Sequence, residues 1–110
     1  MTPDEYVFEH LSAAGIPGTK LAYQEGEAPP LPWFVYLDRR GKDLFACDIN
    51  YAKVQRYRAE LYMRENDPDL IKRFEEAVAS IGPYTSYETW VPTEQCLEIQ
   101  YDFSFDIQDD

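Results

Sequence analysis

The stretch Leu97-Glu98-Ile99-Gln100-Tyr101-Asp102-Phe103-Ser104-Phe105-Asp106-Ile107 alternates large apolar and polar residues without a break. Successive side chains of a strand point to opposite faces, so this period of two predicts a long strand over Cys96–Ile107. Leu97, Ile99, Tyr101, Phe103, Phe105 and Ile107 then share one face, and Glu98, Gln100, Asp102, Ser104 and Asp106 share the other. A strand so divided belongs in a sheet with one buried face and one face that meets water or a partner. A second segment, Ala52–Arg64, has the same signature. Tyr57, Ala59, Leu61 and Met63 alternate there with Arg56, Arg58, Glu60 and Tyr62.

Between these strands lies the clearest helix. Asp67 is placed to cap it, Pro68 suits its first turn, and Asp69 meets its positive end. Leu70, Ile71, Phe74, Ala77, Val78 and Ile81 fall on one stripe, and Gly82-Pro83 ends the run. Tyr84–Val91 reads as a further strand. At the start of the chain, Thr2, Pro3 and Glu5 form a capping box with Val7, Leu11 and Ala14 at helical spacing, and Gly15 and Pro17 stop the helix. Lys20–Gln24 is predicted as a short strand, with Leu21 and Tyr23 on one side. A Pro-rich loop over Glu25–Pro32 leads into the apolar run Trp33-Phe34-Val35-Tyr36-Leu37. This run reads as a buried strand, in a hairpin through Arg39–Lys42 to Leu44–Cys47. The predicted class is α+β, an antiparallel or mixed sheet of about five to six strands with two helices packed on one face. Residues 1–110 are expected to form one domain, because 110 residues supply one modest core.

The composition narrows function by exclusion. Ten basic residues against 21 acidic ones give a net charge of −11, which disfavours general nucleic-acid binding and docking on an anionic membrane. No apolar run approaches the length of a membrane span. A single histidine, His10, rules out histidine-based triads and multi-histidine metal sites. The five-residue spacing of Asp38, Asp43 and Asp48 matches no calcium loop. Glu75 and Glu76 are adjacent on a helix and read as solvated. Cys47 and Cys96 sit far apart in apolar runs and read as small buried thiols. No metal and no cofactor is expected.

Charge placement is more informative. Residues 84–110 carry seven acidic side chains and no basic one, whereas Lys53, Arg56, Arg58, Arg64, Lys72 and Arg73 cluster in the middle of the chain. A basic region of one copy could meet an acidic strand of its neighbour. Tyr62, Tyr87 and Trp90 are surplus to a core of this size and fit such a contact surface.

The order of segments resembles the tail-terminator and tail-completion proteins of long-tailed bacteriophages, across about residues 3–107. The likeness rests on the short first helix, the Leu31-Pro32-Trp33-Phe34-Val35-Tyr36-Leu37 strand after a Pro-rich loop, the Tyr57-Arg58-Ala59-Glu60-Leu61-Tyr62-Met63 strand running into Asp67-Pro68-Asp69-Leu70, and the final Tyr101-Asp102-Phe103-Ser104-Phe105 strand. The resemblance implies a non-enzymatic virion assembly subunit without catalytic, cofactor-binding or metal-binding residues. It would form a homo-oligomeric, hexameric ring at the head–tail interface of a phage or prophage. Its partners would be the tail tube and the head connector, with no membrane, and DNA would only pass through the lumen. It would be found in the virion tail or neck, and in the bacterial cytoplasm during assembly. An acidic lumen would repel DNA phosphates and let the genome slide. The contact residues expected on this basis are Glu25, Glu27 and Leu31 in the Pro-rich loop, Arg39, Arg40 and Lys42 in the turn, and Arg56, Arg58 and Tyr62 on the long strand. Both loops are expected to be mobile in the free subunit and ordered in the ring. The rival expectation is an acidic inhibitor whose carboxylates bind a basic nucleic-acid-binding protein.

Overall fold

The computed structural model describes residues 2–39 and 54–106. Its elements run in the order α1 (Pro3–Ser12), β1 (Gly18–Lys20), β2 (Trp33–Asp38), β3 (Val54–Met63), α2 (Pro68–Ile81), β4 (Tyr84–Val91) and β5 (Cys96–Asp106). The strands form a five-stranded sheet in the order β1-β2-β3-β5-β4. It is mixed: β1 runs parallel to β2, and every other neighbouring pair is antiparallel. This is the α+β arrangement that the alternating and helical periodicities predict.

Both helices begin as their sequences dictate. Thr2 accepts from the Glu5 amide at 3.1 Å, the Glu5 side chain answers, and Pro3 opens the first turn of α1. The Asp67 carboxylate accepts from the Leu70 amide at 3.2 Å at the start of α2. Gly15, just past α1, has φ +86°, the left-handed conformation that a side chain disfavours. Buried residues of α1 (Val7, Leu11) and α2 (Leu70, Phe74, Ala77, Val78, Ile81) join Phe34, Tyr36, Tyr57, Ala59, Leu61, Met63, Ile99, Tyr101, Phe103 and Phe105 in one cluster. The register explains why. Residues directly opposite in a ladder share a face, and Phe34↔Leu61↔Ile99 and Tyr36↔Ala59↔Tyr101 are such rows. Both helices therefore cover one face of the sheet.

Rings dominate this core. Phe74 of α2 lies 5.6 Å from Phe34 and 5.5 Å from Tyr101, centroid to centroid. Such contacts add about 0.5–1.5 kcal/mol each beyond the area they bury. Tyr101 is fully buried, and its hydroxyl donates to Glu75 Oε2 at 3.1 Å. Glu75 thus has a partner inside the fold, which corrects the expectation that it is simply solvated.

Two other expectations shift. The first strand is Gly18–Lys20, earlier in the chain than Lys20–Gln24, and Leu21 has φ +67° and stands exposed. The reason is a tertiary contact: Gly18 lies against the Phe34 ring, where a Cβ would overlap it, so close parallel pairing with β2 starts at the glycine. The antiparallel neighbour of β2 is β3, with Trp33 opposite Tyr62 and Asp38 opposite Tyr57. The predicted Leu44–Cys47 strand lies outside the described residues, as do Asp43, Cys47, Asp48 and Ile107.

Candidate functional site: the uncovered sheet face

The second face of the sheet carries no helix among the described residues. Its residues follow from the same register. One row is Trp33–Tyr62–Glu98–Thr89, the next Thr19–Val35–Glu60–Gln100–Tyr87, and the third Leu37–Arg58–Asp102–Thr85. Beyond these, Arg56 stands opposite Ser104. The face is aromatic at one corner, where Trp33 lies 4.7 Å from Tyr62 and 5.1 Å from Tyr23.

Charge is distributed unevenly over it. At the end near the start of β3, Arg58 Nε donates to Asp102 Oδ1 at 2.8 Å and Arg58 Nη2 to Asp102 Oδ2 at 3.3 Å. This is the two-pronged fit a guanidinium makes with a carboxylate. Arg39 reaches the same carboxylate at 3.6 Å, and its amide donates to the Arg56 carbonyl at 2.7 Å. The Arg58 guanidinium, helped by Arg39, holds the Asp102 carboxyl below its ordinary value. Arg39, Arg56, Asp102 and Ser104 line a cleft of about 440 Å³ with Pro83, Tyr84 and Thr85.

The other end is acidic. Glu98 is only 9% exposed although it lies on the uncovered face, and it accepts from Gln100 Nε2 at 2.8 Å. Glu60 accepts from the Tyr62 hydroxyl at 3.1 Å. Burial, and then the nearby Glu98 carboxylate, push the Glu60 carboxyl up despite that hydrogen bond. Burial and the same two carboxylates push the Tyr62 phenol up, so it stays a hydrogen-bond donor. From Arg56 to Tyr62 the strand advances roughly 20 Å, and over that length the surface passes from basic to acidic.

The residues expected from sequence fall into two groups. Arg39, Arg56, Arg58 and Tyr62 come together on this face. Glu25 and Glu27 are exposed in the Pro-rich loop, at a turn closed by the Glu27 amide on the Gln24 carbonyl at 2.9 Å with Gly26 at φ +81°. Leu31 lies apart from both groups, in a cleft of about 520 Å³ with Arg64, Trp90 and Pro92. Arg40 and Lys42 lie outside the described residues. Asp102, Glu60, Glu98 and Trp33 complete the face and were not among the expected contacts. The signal for Asp102, Glu60 and Glu98 was the polar half of each alternating strand, but the pairing of β3 with β5 joins residues 34 to 52 positions apart.

Cys96 is a buried free thiol, raised by burial and by Glu94 and Glu98, which disfavours the reactive thiolate. The His10 ring packs at a tilt against Tyr6, 4.2 Å between centroids, and its Nδ1 lies 2.8 Å from the Tyr6 carbonyl oxygen, within its own helix. No family model, no curated protein and no solved structure matches the chain.

Proposed function

We propose that the protein is a structural assembly subunit of the tail-terminator or tail-completion kind. It joins copies of itself in a ring and meets the tail tube and head connector of a long-tailed phage or prophage. The observation that carries this reading is the uncovered face of the sheet. A bidentate Arg58–Asp102 cluster with Arg39 and Arg56 stands at one end of it, and Glu60 and Glu98 at the other. Such a surface is suited to a fixed protein neighbour, because each end complements the opposite end of another copy. Trp33 and Tyr62 beside the acidic end supply the aromatic area that protein contacts favour.

Its mixed charge supports this reading over that of an acidic mimic of nucleic acid. A mimic needs carboxylates in a continuous array, whereas arginines and carboxylates share this face. Affinity capture with the full chain, from cells producing the phage, tests the choice. Recovery of tail-tube or head-connector subunits is the expected result. Recovery of a basic DNA-binding protein in their place would overturn it.

A further inference from the structure

The two edges of the sheet are unlike. The β1 edge is three residues long and ends at Lys20; the next residue, Leu21, donates its amide to the Tyr36 carbonyl at 2.8 Å as the chain turns away. The β4 edge runs for eight residues, Tyr84–Val91, and nothing among the described residues pairs with its outer side. It has neither the lysine nor the proline that natural sheets use to blunt an edge. It also carries two of the most exposed aromatic side chains, Tyr87 at 66% and Trp90 at 52%.

We propose that two copies of this chain pair through β4, antiparallel and two-fold symmetric, with the axis passing through Tyr87. The strand's own sequence selects that register. Paired residues must share a face, so Tyr87 meets Tyr87 of the second copy and Thr85 meets Thr89 on the uncovered face. On the helix-covered face, Tyr84 meets Trp90 and Ser86 meets Glu88. These are aromatic, hydroxyl and hydroxyl–carboxylate pairs of the kind that stabilise neighbouring strands. Moving the axis to Glu88 would place two carboxylates directly opposite each other. Moving it to Ser86 would leave Trp90 without a partner. The register centred on Tyr87 therefore pairs the strand over nearly its whole length with no like-charge contact.

The pairing is opposed at long range by the net charge of −11 on each copy. Salt screens that repulsion, so the dimer strengthens as ionic strength rises. A contact made through the oppositely charged ends of the uncovered face would weaken instead. The inference goes beyond the assembly reading and does not depend on it.

Sedimentation of the full chain over a range of concentrations, in low and in high sodium chloride, tests the pairing. A dimer that grows with concentration and with salt is expected. Tyr87→Lys, at an exposed position, sets two ammonium groups across the axis and should weaken the dimer at least about fivefold, without moving the unfolding midpoint at concentrations where both proteins are monomeric. A second variant tests the register itself. In a Cys47→Ser background, Tyr87→Cys should cross-link to its own copy on mild oxidation, with the linked peptides mapping to position 87 on both sides. Thr89→Cys in the same background should not cross-link, because its opposite residue is Thr85. A chain that stays monomeric under all these conditions overturns the inference. So does a dimer indifferent to Tyr87→Lys, a dimer that dissolves in salt, or a linkage that forms equally well from position 89.

Discussion

The two faces of the sheet are built from the same strands and obey opposite rules. On the helix-covered face, the side chains of β3 and β5 are rings and aliphatics sealed under α1 and α2, and the hydroxyl of Tyr101 is answered by Glu75. On the other face, the residues between them are charged or polar, several are paired with one another, and some are buried although no helix among the described residues lies over them. The first face makes the fold. The second asks more of the molecule than folding needs, since burial pushes the Glu60 carboxyl up and so burdens its charged form in the isolated subunit.

The largest expected effect lies on the covered face. Phe74→Ala removes a fully buried ring from between Phe34 and Tyr101 and should cost about 3–5 kcal/mol, measured by urea unfolding. A loss as small as that of a surface substitution would mean that the covered face is not what holds the fold together.

The uncovered face should respond to pH and by smaller amounts. Asp102 has a lowered carboxyl pKa, so its contribution is present above the ordinary carboxylate value and is lost as pH falls through the folded value. Arg58→Ala should cost about 0.5–1 kcal/mol at neutral pH, the modest size reflecting a pair that is about a third exposed. It should also flatten the acid side of the stability curve. Glu60 works in the reverse sense. Its carboxyl pKa is raised, so the charged form burdens the folded state at neutral pH, and the burden lifts as pH falls through the folded value. Glu60→Gln should therefore stabilise the free subunit by about half a kcal/mol at neutral pH. The gain should shrink to nothing in mild acid, where the wild-type carboxyl is already neutral. Thermal unfolding of both proteins across that pH range reads the difference directly. A destabilised Glu60→Gln variant would mean that the acidic end of the face is a folding device after all.

The same two faces show how far the sequence could be read. Strands β3 and β5 and helix α2 were legible because their apolar residues recur with the period of the element, and caps such as Thr2 and Asp67 marked the helix starts. Which residues point inward followed from the same alternation, and every even-numbered position of β3 from Arg56 to Tyr62 is indeed on the uncovered face. What alternation cannot supply is which strand lies beside which. The Arg58–Asp102 pair exists because β3 and β5 are neighbours, with α2 and β4 between them in the chain. The position of β1 escaped for a different reason. Its start depends on a glycine that lets Phe34 approach, a tertiary contact that outweighs the β propensity of Leu21 and Tyr23. Arg39, Arg56, Arg58 and Tyr62 were expected as contacts from the family likeness together with an exposed turn, basic charge and a surplus aromatic. The acidic character of the last strand was legible too, but which carboxylates stand beside which arginines came only with the register.

The central claim is that this molecule acts by fitting against copies of itself and against other parts of a virion. Electron microscopy of the full chain mixed with phage tail tubes that lack an end cap tests it most directly. The account predicts rings with a central hole seated at one end of each tube, and tubes that no longer lengthen. Tubes that keep growing with bare ends, beside a protein that remains dispersed at high concentration, would contradict it.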